Sequence, residues 1–257
     1  MAWTTAEYFT AVSTAVSVVA LMRPELSRVF RRWTNDIDLH PAGRIEIGFS
    51  GFGPTIGIEG TLRAVRNDQF ITSMNLTVIR SADHLQHSFE WAIFRRPVLF
   101  QAQPNDMQIA AGFFLPTNEA RRFSIQFHDR STADRYRDPV MALRNQWMNF
   151  VQANNLVLPG QPSPVIRGHY GTFATQHSQH TTPAFAAVNN EFYWQPGRYD
   201  MRIDVSTSRP SKRFSFSYTF ELTAADSQLL RLNAIAIMMT ACDVPDVIFN
   251  FAYPQYG

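Results

Sequence analysis

Tyr199-Asp200-Met201-Arg202-Ile203-Asp204-Val205 and Phe214-Ser215-Phe216-Ser217-Tyr218-Thr219-Phe220-Glu221-Leu222 alternate apolar and polar residues without a break. A period of two sends every second side chain to the same face, the mark of a strand with one face buried. Ser206 to Pro210 between the runs is a short polar turn, so the two are predicted to pair as an antiparallel hairpin.

Upstream the same period recurs. Ile45, Ile47 and Phe49, then Met74, Leu76 and Val78, then Phe89, Trp91 and Ile93, then Phe123, Ile125 and Phe127 each alternate with other residues. Ile56 to Val65 adds a further strand, with Gly57 and Gly60 marking a bulge or a close backbone approach. Immediately before the hairpin, Pro196-Gly197-Arg198-Tyr199 resembles the turn and tyrosine that open the penultimate strand of many immunoglobulin-like domains. That resemblance implies a tyrosine hydroxyl bonded back to upstream backbone. The expectation is a mainly β chain, an immunoglobulin-like antiparallel β-sandwich forming one elaborated domain over residues 43–257.

Two accessory helices interrupt the strands. Asp138 can cap a helix near 139–153 with Pro139 as its first residue, and Val140, Leu143, Trp147 and Phe150 make an apolar stripe. Thr223 and Asp226 form a capping box that opens a helix near 224–242, in which Leu229, Leu232, Ile235, Met239 and Cys242 line one side. Both stripes are expected to pack on the sheet. Residues 155–186 between them, rich in Pro, Gly, Ser, Thr and His, are read as a long loop.

Residues 1–33 form a separate unit. Tyr8 to Met22 carry no charge, a run close to the length that spans a bilayer. On a helix, Phe9, Val12, Val16 and Val19 share one side and Thr10, Ser13, Thr14 and Ser17 another. The run stops at Arg23-Pro24 and is followed by Arg28, Arg31 and Arg32. As a membrane anchor with this basic flank, it leaves the arginines and the body on the cytoplasmic side. The lone cysteine, Cys242, excludes an internal disulfide and agrees with that compartment. A net charge of +2 with 17% charged residues argues against nucleic acid as a partner.

The glycine-rich run Ile45-Glu46-Ile47-Gly48-Phe49-Ser50-Gly51-Phe52-Gly53-Pro54-Thr55-Ile56-Gly57, continuing to Gly60-Thr61-Leu62, resembles a stretch of uncharacterised bacterial proteins with a short N-terminal membrane segment. Phe192-Tyr193-Trp194 and Leu230-Arg231-Leu232-Asn233 belong to the same pattern. The resemblance implies an anchored β-body and carries no assigned activity, so no site residue follows from it. The glycines fit neither the dinucleotide fingerprint nor a phosphate loop and are read as a structural bend.

Candidate chemistry is sparse. His169, His177 and His180 are the residues to weigh as metal ligands, but no helix fixes them and no carboxylate lies near them in sequence. They are read as solvent histidines, with no metal and no cofactor assigned. His84 and His87, beside Asp83, repeat the three-residue spacing and take the same reading. Cys242 sits on an apolar stripe, and Ser50 lacks the second glycine of a hydrolase elbow. Phe192, Tyr193 and Trp194 are weighed as core rings and as an interface anchor. The expected function is a non-enzymatic binding or scaffold protein at a membrane, with a protein partner or second copy. The alternatives are a metal-dependent hydrolase using the 155–186 histidines and a soluble subunit that oligomerises through its N-terminal helix.

Overall fold

A computed structural model describes residues 36–95, 107–208 and 211–257 of the chain, without the side chains of residues 94, 95, 107 and 108. The expected N-terminal helix and its flank, Arg23, Arg28, Arg31 and Arg32, lie outside the described residues.

The described strands are β1 (Ile37–Pro41), β2 (Glu46–Ser50), β3 (Gly53–Ala64), β4 (Gln69–Arg80), β5 (Gln86–Arg95), β6 (Met107–Ile109), β7 (Phe113–Leu115), β8 (Ala120–His128), β9 (Gly197–Ser208) and β10 (Ser211–Leu222). The helices are α1 (Arg130–Ala153), α2 (Ser163–Gln176), α3 (Ser178–Asn190), α4 (Ala224–Arg231) and α5 (Asn233–Ala241). Residues ahead of 43 already belong to the body, since Ile37 and Leu39 of β1 are buried.

The predicted hairpin is present: β9 and β10 pair antiparallel, with Tyr199 opposite Phe220 and Val205 opposite Phe214. Its buried row is Tyr199, Met201, Ile203 and Val205. The Tyr199 hydroxyl donates to the Gln195 carbonyl at 2.6 Å, the back-bond that the immunoglobulin-like turn implied.

The global arrangement differs from the expected sandwich of two sheets. All ten described strands belong to one antiparallel sheet, ordered β1-β3-β8-β5-β4-β9-β10, with β2 on β3, β6 on β5 and β7 on β4. The sheet curls until its edges nearly meet. Tyr218 of β10 donates to the Leu39 carbonyl of β1 at 3.1 Å, and Lys212 pairs with Asp36. The C-terminal residues fill the remaining gap, bridging β2 through Ile47 and Ala252 and β10 through Thr219 and Gly257. A near-closed sheet buries one face throughout, which is why single alternating strands could not reveal the number of sheets.

Strand β5 departs from its expected period. A register shift between Trp91 and Ile93, where β5 passes from β4 to β8, turns Ala92 inward and leaves Trp91 and Ile93 half-buried. Gly60 meets the expectation of close approach, since a Cβ there would stand 2.5 Å from the His40 carbonyl.

The helices cover one end of this sheet. α1 begins nine residues before the predicted start: Asp129 is its N-cap, accepting from the Thr132 N–H, and Pro139 lies inside the helix. The apolar stripe in fact runs from Ala133 through Tyr136, Val140, Leu143 and Trp147 to Val151. The stretch read as a loop, 155–186, instead contains α2 and most of α3. Pro162 and Pro164 preset its first turn, and Ile166, Tyr170 and Phe173 pack on Trp147 in a second core of aromatic rings.

Candidate functional site

The helical end is built around the tip of the β2–β3 hairpin. Three successive carbonyls of that tip each accept from a different buried side chain: Gly48 from the Trp194 indole at 2.7 Å, Phe49 from Asn233 at 3.0 Å, and Ser50 from Tyr136 at 2.7 Å. Asn233 also bonds both backbone groups of Asn250, where the pairing of the C-terminal residues with β2 ends. Buried carbonyls left without donors are costly, so this set fixes α1, α5 and the 191–196 loop to one point of the sheet. Gly53 turns the tip with φ of +84°, and a Cβ there would lie 2.3 Å from the Asp129 carbonyl. The glycine run is therefore a bend clamped by helices, as read from the sequence.

Beside the clamp lies one pair capable of proton transfer. The buried Asp129 accepts from Ser131 and Thr132 hydroxyls and contacts His87 Nδ1 at 2.6 Å. Burial pushes the Asp129 carboxyl upward, but the bonds from His87, Ser131 and Thr132 outweigh it and hold it well below the usual carboxylate range. The Tyr193 ring covers the imidazole, with centroids 3.9 Å apart, and Arg80 lies over that Tyr193 ring with its guanidinium bonded to Asp83. A catalytic histidine activates a hydroxyl or thiol within hydrogen-bond reach. Here the hydroxyls of Ser131 and Thr132, which share Asp129 with His87, are committed to that carboxylate. The pair ties the start of β5 to the cap of α1.

The other feature is apolar. Leu232, Ile235, Ala236 and Met239 follow one another at helical spacing along α5, and with Val247, Ile248, Arg167 and Asp246 they line an open groove of about 300 Å³. Leu232 is 57% exposed, Ile235 46% and Ile248 81%. This corrects the sequence reading, which put Leu229, Leu232 and Ile235 in the core. The helix is interrupted at Leu232, between α4 and α5, so the inward face is Leu230, Ala234, Ile237 and Met238. α5 carries no charged residue and is apolar on both faces, a composition normal for a helix covered on both.

The remaining sequence candidates are dispersed. His169 lies in α2, His177 is its C-cap and His180 lies in α3. Among the described residues no three His, Cys, Asp or Glu side chains are grouped to hold a metal ion. His177 instead stacks on Phe173 at 5.1 Å and on His180 at 6.4 Å. Phe192, Tyr193 and Trp194 are buried in the main core and offer no ring to a partner from this face. Their apolar surroundings come from Phe49, Phe89, Tyr199 and Phe220, which one local sequence window could not show. Cys242 is also buried, and desolvation pushes its thiol up to about 12. Sequence reasoning missed Asp129 as a cap and Asn233 as a bridge. The signal for the first was available in Asp129 followed by Ser131, Thr132 and the early stripe residue Ala133.

Compared with known proteins, the sequence matches no family model and no curated protein. Among solved structures it is similar to a family 123 glycoside hydrolase from Clostridium perfringens, at 8% identity and a TM-score of 0.32, over 74% of this chain and 28% of that one. The chain spans little more than a quarter of that protein's length, and a likeness this slight bears on neither fold nor activity.

Proposed function

We propose that the chain is a non-enzymatic binding or scaffold protein, held at a membrane by residues 1–33 with its body on the cytoplasmic side, and that its binding surface is the groove along α5. The observation that carries the reading is the exposed row Leu232, Ile235 and Ile248. A contiguous exposed apolar row bordered by charged residues such as Arg167 and Asp246 is the form that interaction sites take.

The placement of the groove suits a tether. β1 starts opposite Ala64, at the end of β3 remote from Gly53 and the helices. A strand of twelve residues spans about 36 Å, so a membrane attached ahead of β1 leaves the helical end facing away from it. The uncharged run Tyr8 to Met22 and the arginines after it support the anchor.

Fractionation tests this. The full chain stays with membranes through an alkaline carbonate wash, a chain lacking residues 1–33 does not, and protease added outside intact cells leaves the body uncut. Release of the full chain by carbonate, or digestion of the body from outside, overturns the proposal.

A further inference from the structure

α5 poses a problem for any period the protein spends away from a membrane. Its outer face presents Leu232, Ile235, Ala236 and Met239 at spacings of three, four and seven residues, beside the exposed Ile248. The N-terminal run has the complementary form. Phe9, Val12, Val16 and Val19 repeat at three, seven and ten residues, and nothing between Tyr8 and Met22 is charged. As a helix, Phe9 to Val19 covers about 15 Å, against about 13.5 Å for the nine residues of α5.

The connection is long enough. Residues 23–35 number thirteen and can extend to roughly 45 Å, while the groove lies about one length of β3 from the start of β1, roughly 36 Å. The contact would remove two apolar surfaces from water at once, each of which favours burial in proportion to its area.

We propose that the α5 groove is the seat of residues 8–22 of the same chain when no bilayer is available, and that membrane insertion of the segment empties the groove for a partner. The anchor then covers the binding surface in solution and uncovers it at the membrane. The second half of this statement rests on the proposed function; the seat in the groove does not.

The test uses the full chain with Cys242→Ala, made by cell-free synthesis without lipid. Val16→Cys and Ile235→Cys are combined and oxidised, with Val16→Cys and Ser217→Cys as control, Ser217 being an exposed residue on the outside of the sheet. The seated segment gives an intramolecular disulfide at about tenfold the control yield, since a tethered group in its site works at millimolar effective concentration. Vesicles of phosphatidylglycerol and phosphatidylcholine lower that yield as the protein binds them. In a chain without added cysteines, Ile235→Glu raises the vesicle-bound fraction, because the competing seat is weakened.

Yield no higher than the control, precipitation of the lipid-free chain, or a disulfide-linked dimer overturns the same-chain seat. A high yield that vesicles leave unchanged keeps the seat and rejects the membrane half.

Discussion

The indole Nε1 of Trp194 donates to the carbonyl of Gly48 at 2.7 Å, joining residues 146 apart in sequence at a point where sheet, loop and helices meet. Trp194 is fully buried, and its own carbonyl accepts from Ser227 at 2.7 Å. Trp194→Phe leaves the Gly48 carbonyl without its donor and opens a void. We expect a loss of about 2–4 kcal/mol in stability, read from the urea midpoint, with the slope unchanged.

Gly53 and Gly43 separate strain from steric overlap. Both have positive φ, but a Cβ at Gly53 would strike the Asp129 carbonyl, whereas none of the surrounding atoms comes within 4 Å of one at Gly43. Gly43→Ala should cost about 1 kcal/mol, the price of the backbone conformation alone. Gly53→Ala should cost at least about twice that in the same denaturation assay, because α1 must shift to admit it.

Acid should loosen the cap of α1. Asp129 holds its proton less tightly in the folded chain than in the unfolded one, so on acidification the unfolded chain takes up the proton first. Its stabilisation is complete above about pH 5 and falls away below, since unfolded aspartate titrates near about pH 3.9. Urea midpoints measured from pH 7 to pH 3 should drop less steeply for Asp129→Asn than for the natural chain, starting from a lower value at pH 7.

Pro139 lies within α1, where it supplies no N–H to the helix ladder. Pro139→Ala should raise the thermal midpoint, with a gain of about 1 kcal/mol or more, as alanine is favoured by about 3 kcal/mol in an unstrained helix interior. A lower midpoint would mean that the helix has accommodated the ring through packing that alanine loses.

The legible part of this fold was its strands. Tyr199 to Val205 and Phe214 to Leu222 needed only a period of two, and the Tyr199 turn carried its hydroxyl bond within four residues of sequence. The closure of the sheet was hidden, because Tyr218 reaches Leu39 and Ala252 reaches Ile47 across nearly the whole chain. Pro139 was read as a start signal although the stripe continued back to Ala133. Glycine, proline and threonine in 155–186 masked two helices, the first held by Ile166, Tyr170 and Phe173, whose partner Trp147 lies on another helix, and the second by Ala184 and Val188. For the candidate groove the sequence supplied the right residues and the wrong face. Leu232 and Ile235 kept their helical spacing, but the break between α4 and α5 turned them to solvent.

The measurement closest to the central claim places a photoreactive phenylalanine analogue at Ile235, and separately at Ser217, in the full chain made in living cells. Irradiation should give an adduct of one defined mass from position 235 and none from position 217, and Leu232→Glu should abolish it while the chain stays folded. No adduct from position 235, or the same adducts from both positions, would contradict a binding surface on α5.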